Sequence, residues 1–284
     1  MLNALLLCGA AVGISMQGIL KKYYNGRVGG RGVFIFAAVS VLCACAVFAV
    51  SGGFRFDFRW EVLPYSFGFA LSYGAAVVFS FLAIRSGPLS ITSLITSYSL
   101  VIPTFYGLLF LGEEVSLLFW LGFLLLAVSL FLINPRGGEI KISARWVVFV
   151  TLAFLGNGIC SAVQAAQQRA FDGGYKNELM ITSLGAVAVF FLLSALLVER
   201  RDIVPCLRRG THLMAGCGIA NGLVNMFVML LVTQMSAALM YPIMSAGGIV
   251  LSWIVSRFLY RERLTVGQNV ALVLGILSVV FMNL

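Results

Sequence analysis

Ten apolar stretches follow one another along this chain, at about 2–22, 33–52, 64–84, 89–111, 117–134, 144–168, 179–198, 211–234, 237–259 and 266–284. Each comes near the ~20 residues that a helix needs to cross the hydrocarbon core of a bilayer. Lipid offers no partner to a backbone N–H or C=O, so a spanning segment must satisfy these groups itself, as a helix does. Transmembrane strands would alternate polar and apolar residues, and these runs do not. The sequence therefore predicts an all-α integral membrane protein with ten transmembrane helices. Composition agrees: 61% of the 284 residues are hydrophobic and 10% charged, with a mean hydropathy of +1.03. A soluble domain carries about a quarter charged residues.

The net charge is +9. Its basic residues lie between the apolar runs, which suits anionic headgroups and membrane orientation better than nucleic acid. Fifteen of the 19 Lys and Arg residues fall in the connections after helices 1, 3, 5, 7 and 9. The positive-inside rule then places those connections in the cytoplasm and both termini outside. Lys21 and Lys22 follow the first apolar run instead of preceding it, the wrong order for a cleaved signal peptide, so that run is read as helix 1. Six cysteines and one histidine, His212, show no metal-ligand spacing. No metal, cofactor or catalytic set is expected.

The chain also reads as a duplication, with residues 1–140 and 141–284 as two five-helix repeats. Segments 86–134 and 235–283 correspond at an offset of about 149 residues. Glu113 falls on Glu262, Ser129 on Ser278 and Asn134 on Asn283. Five helices per repeat is an odd number, so the two repeats must be inverted in the membrane. Inverted repeats around a midplane site are a transporter architecture.

Polar residues in lipid are costly and should face a bundle interior or a wet cavity. They form stripes on helices 1, 3, 4, 6, 8 and 9, which are equivalent positions of the two repeats. Gly13, Gln17 and Lys21 recur every four residues on helix 1, and Ser66, Tyr73 and Ser80 every seven on helix 3. Helix 4 carries Ser90, Thr92, Ser93, Thr96, Ser97, Tyr98 and Ser99. Helix 6 carries Asn157, Ser161, Gln164 and Gln168; helix 8, Asn221 and Asn225; helix 9, Tyr241, Ser245, Ser252 and Ser256. Two readings remain open for these side chains: cross-helix hydrogen bonding that holds the bundle together, or the lining of a cavity. The expected solute-binding set is Gln17, Tyr73, Thr96, Tyr98, Asn157, Gln164, Asn221, Asn225, Tyr241 and Ser245. Pro103 and Pro242 should kink helices 4 and 9. Lys21, Lys22, Arg85 and Arg257 are read first as snorkelling to headgroups, and second as attracting an anion. The run from Asn25 to Gly32 is glycine-rich but lacks the strand and Lys-Ser/Thr of a phosphate-binding loop, so it is read as an interhelical connection.

Ser86-Gly-Pro-Leu-Ser90, Leu111-Gly-Glu-Glu-Val-Ser116 with Gly122, and Tyr260-Arg-Glu-Arg-Leu-Thr265, set in a five-plus-five pattern, make the chain resemble the drug/metabolite transporter superfamily in its EamA-like branch. The resemblance covers nearly the full length. It implies inverted halves, alternating access, a cavity lined by helices 1, 3, 4, 6, 8 and 9, and cytoplasmic termini, against the charge count. Val12-Gly13 stands where the family often has Trp-Gly.

The expectation is a secondary transporter or facilitator for a small polar metabolite, such as an amino acid or related zwitterion or neutral solute, in a bacterial inner membrane. One half would rock against the other around the site. Membrane lipid is the other expected partner, and apolar helices 5 and 10 offer faces for a homodimer. Multidrug efflux is a rival, weakened because no Asp or Glu lies mid-helix. A lipid-modifying enzyme would need a clustered acid, base or metal set, and a scaffold is a further alternative.

Overall fold

The computed structural model describes residues 2–57, 59–87, 92, 95, 96, 98–110, 112, 116–132, 143–258 and 266–282. Ten α-helices fall within the described residues: α1 Leu2–Val28, α2 Val33–Ser51, α3 Leu63–Ser86, α4 Val101–Phe110, α5 Leu117–Leu132, α6 Ala144–Ala170, α7 Lys176–Val198, α8 Ile203–Leu231, α9 Ala237–Phe258 and α10 Val266–Met282. Six of them (α1, α2, α3, α6, α7 and α8) are long and apolar enough to cross a membrane. The described chain is a multi-pass, all-helical membrane protein. Ser90, Ser93, Ser97, Glu113, Glu114, Asn134, Glu262, Asn283 and most of the two charged turns lie outside the described residues, as do the side chains of Ser252, Ser256 and Arg257.

The outer surface is apolar, as a lipid-facing surface should be. Phe67, Leu117, Leu197 and Val266 are each more than two-thirds exposed, a liability in water but not in hydrocarbon. The α5 and α10 helices pack on each other through Ser129, whose hydroxyl donates to the Ala271 carbonyl at 2.6 Å. Their other faces, at Leu124 and Val273, remain exposed.

Small residues set the helix directions. Gly9 packs against Phe227 and Gly210 against Tyr24, so α1 and α8 run antiparallel. Gly68 packs against Val163 and Gly87 against Trp146, so α3 and α6 are antiparallel too. Gly52, at the end of α2, meets Asn177 at the start of α7. At the opposite ends the Glu199 carboxylate accepts from Phe34 N at 3.1 Å and Ile35 N at 3.0 Å. This carboxylate satisfies two otherwise orphaned donors of the first turn of α2 and complements its dipole. It also fixes α2 and α7 as an antiparallel pair. By contrast α2 runs parallel to α8 (Gly32 by Cys206, Gly222 by Val47). Helix α3 runs parallel to α7, with Ser183 Oγ donating to Ser66 O at 3.1 Å and Gly74 beside Phe191.

Two local expectations change. Helix α1 does not stop at Lys22 but continues to Val28, so half of the glycine-rich run is helical. The turn is confined to Gly29, Gly30 and Gly32, whose φ values of 65°, 72° and 68° lie in the left-handed region. Pro103 lies in the first turn of α4, after a 3₁₀ turn over Tyr98–Leu100, where a missing N–H costs nothing. Pro242 does sit inside α9.

Gly218 lies where a Cβ would collide with the Ser40 carbonyl of α2, whereas one on Gly216 would meet Leu20 Cδ1 at 3.4 Å, ordinary contact. Gly218→Ala should therefore lower stability by about 1–3 kcal/mol. Gly216→Ala should be tolerated. Thermal unfolding of the purified protein in detergent compares the two, and equal midpoints would contradict the close α2–α8 approach.

Candidate functional site: a polar cavity between the helices

A cavity of about 170 Å³ is lined by residues of α1, α2, α3, α6, α8 and α9, together with Thr92, Thr96 and Leu100 ahead of α4. This is smaller than the ~300–1,000 Å³ typical of pockets for drug-sized ligands. Among the described residues, α5, α7 and α10 contribute nothing to its wall.

Eight of the ten expected residues line it: Gln17, Tyr73, Thr96, Asn157, Gln164, Asn221, Asn225 and Ser245. Tyr98 and Tyr241 do not. The Tyr98 hydroxyl instead meets Ser129 Oγ at 2.8 Å, on the side of α5. The Tyr241 hydroxyl donates to the Ser161 carbonyl at 3.1 Å, with its ring in an apolar cluster with Met240 and Met244. Helical spacing places a tyrosine on a face, but the direction of its long ring decides what its oxygen reaches.

Five of the lining residues form a continuous relay. Asn221 Nδ2 donates to Gln17 Oε1 at 2.9 Å, joining α8 to α1. Tyr73 Oη donates to Asn221 Oδ1 at 2.7 Å, joining α3. Asn225 Nδ2 donates to the same Asn221 Oδ1 at 3.1 Å and to Asn221 O at 2.9 Å. Gln164 Nε2, on α6, donates to Asn225 Oδ1 at 2.9 Å. Each bond is neutral and each donor is matched, so the relay holds together four helices without burying charge. A second link runs from Asn157 Nδ2 to Ser99 Oγ at 2.6 Å. Thr96 Oγ1 donates to Thr92 O at 2.8 Å. Trp146 Nε1 reaches Thr92 Oγ1 at 3.0 Å.

The wall also holds residues outside the expected set. Ser40 comes from α2, a helix otherwise apolar up to its last residue, Ser51, and lines the cavity while its hydroxyl donates to Met214 O at 3.0 Å. Ser161, Cys160 and Cys217 join it. The largest change concerns Lys21. In place of snorkelling to headgroups, Lys21 lines the cavity, and its Nζ donates to Ser80 Oγ at 3.0 Å. The signal was present in the four-residue stripe Gly13, Gln17, Lys21. It was obscured by the misplaced end of helix 1. Arg85 is exposed and packs by Gly30. Among the described residues, Lys21 is the single charged side chain lining the cavity. No cluster of three or more His, Cys, Asp or Glu exists among the described residues.

No protein-family model and no curated protein matches the sequence. Solved structures do match, 29 chains in all. One is a crystal structure described only as that of a protein. It aligns with 99% of this chain and 96% of its own at TM-score 0.71 and 15% identity. The fold is thus a known one at full length.

Cys160 and Cys217 line the cavity; Cys206 does not, although it packs in the same apolar cluster as Cys217, Tyr24 and Phe36. In single-cysteine proteins, a small polar methanethiosulfonate should modify Cys160 and Cys217 faster than Cys206. Equal rates at all three would mean that water does not enter the cavity.

Proposed function

We propose that this chain is a secondary transporter or facilitator that moves a small polar metabolite across the membrane, by alternating access around the cavity. It is a carrier in this reading, not an enzyme, and a distant member of the drug/metabolite transporter superfamily. The observation that carries the reading is the cavity itself. Residues from six helices and the stretch ahead of α4 surround a space of about 170 Å³ in a protein whose exterior is apolar, and 12 of the 27 among the described residues are amides or hydroxyls. Polar groups at such depth are expensive, and a solute pathway is the usual reason for them.

The direction of the helices supports two inverted repeats. With α1–α5 as one repeat and α6–α10 as the other, α2 and α7 are equivalent, and they run antiparallel. The α1–α8 contact maps onto the α6–α3 contact under the same exchange, and both are antiparallel. The α2–α8 contact maps onto α7–α3, and both are parallel. Helices 1 and 6, and likewise 3 and 8, therefore point in opposite directions. An inverted repeat lets one fold open to either side of the membrane by exchanging the conformations of its two parts.

The test is flux in proteoliposomes against a panel of amino acids, other zwitterions, organic acids and neutral polar metabolites. The Asn221→Ala/Asn225→Ala double variant removes the centre of the relay, and flux of the transported solute should fall by about ten-fold or more. Full transport by that variant would refute the site, and no flux for any solute would refute the carrier reading.

A further inference from the structure

Resting on the transporter reading above, we propose that the transported solute is a small organic monoanion whose carboxylate pairs with Lys21. Three observations converge on this. First, among the described residues Lys21 is the single charged one lining the cavity, and no acid lines it. Second, among the described residues its only hydrogen-bonding partner is the neutral hydroxyl of Ser80, at 3.0 Å. An ammonium has three N–H donors, so two remain to face the cavity. The Ser80 hydroxyl in turn donates to the Val77 carbonyl at 3.1 Å, so Ser80 accepts from Lys21 but brings no charge. Third, Lys21 sits seven residues before the end of α1 at Val28. At ~1.5 Å per residue that is about 10 Å inside the helix end, which keeps the ammonium beside the cavity.

A charge set among helices needs a counter-charge, and the described residues supply none here. A cation would be repelled. A neutral solute leaves the ammonium uncompensated, and a zwitterion brings a second ammonium along with its carboxylate. A dianion would overcompensate. A monoanion neutralises the site, displaces Ser80 and forms a charge-assisted bond, which is stronger than the one it replaces. Gln17 lies one turn before Lys21 on the same face, about 6 Å along the axis. Its partner Asn221 lies with it, so a hydroxyl or carbonyl about four bonds from the carboxylate would reach these amides. The chemistry points to a short hydroxy or oxo acid.

The probes are the ω-hydroxy acids of two to six carbons, their primary amides, the matching ω-amino acids and the matching dicarboxylates, offered to the full-length protein in proteoliposomes. At least one hydroxy acid should move at about ten times the rate of its amide and of its amino acid, or faster. Lys21→Gln should bring the acid down to the rate of the amide while leaving the unfolding midpoint unchanged, and Lys21→Arg should keep the preference. Should Lys21→Gln fail to fold, the acid-to-amide ratio of the unmodified protein decides alone. An amide or amino acid moving as fast as the acid, or a preference that survives Lys21→Gln, would overturn the inference and leave the carrier reading standing. If no probe moves, the inference fails, and the wider metabolite panel decides separately whether the carrier reading falls with it.

Discussion

A side-chain amide surrounded by hydrocarbon has to be answered by another polar group, and in this protein that requirement decides where the helices meet. Asn221 answers Gln17, Tyr73 and Asn225 at once. Gln164 closes the sequence of bonds from the opposite side. Because the four helices involved are contributed equally by the two parts of the chain, the relay ties the parts together at their centre. Glycines do the complementary work. Gly13, Gly156, Gly158, Gly218 and Gly222 let backbones come so close that a Cβ would collide. Without a hydrophobic force between helices in lipid, close packing and cross-helix hydrogen bonds are what remain to hold a bundle.

Six of the ten predicted spans are helices long and apolar enough to cross a membrane, and these were legible because a bilayer imposes a length. The ends of helices were less legible. Nothing in the composition of Tyr23, Tyr24 and Asn25 distinguishes a continuing helix from a connection, and α1 runs through them to Val28. That one boundary moved Lys21 from the headgroup region to the cavity wall. The start of α4 was obscured for another reason. Side-chain hydroxyls compete with the backbone for hydrogen bonds: Thr96 and Ser99 donate to the carbonyls of Thr92 and Thr96, and the described part of that stretch includes a 3₁₀ turn before Pro103.

The amides of the site were legible since Asn and Gln at depth have few alternatives to a polar interior. The tyrosines were not. Tyr73 and Tyr241 read alike in the sequence, yet one hydroxyl joins the relay and the other bonds a carbonyl behind an apolar cluster. Ser40 was illegible for a further reason: a lone serine in an apolar helix is most often a fastener, and Ser40 both fastens α2 to Met214 and borders the cavity.

The glycine contacts carry a mechanical consequence. They lie across the two parts of the chain, between α1 and α8 and between α3 and α6, so these are the seams least able to part. Helices α1, α2, α8 and α9 touch in one group, and α3, α4, α6 and α7 in another, and the two groups meet where α2 packs on α7 and α9 on α4. A displacement that widens the cavity while sparing the glycine seams must separate these two groups, each assembled from the front and the back of the polypeptide. In the carrier reading proposed above, the units of duplication and the units of motion would then be different objects, and the α2–α7 pair, clasped at Glu199, would be the place where the chain bends.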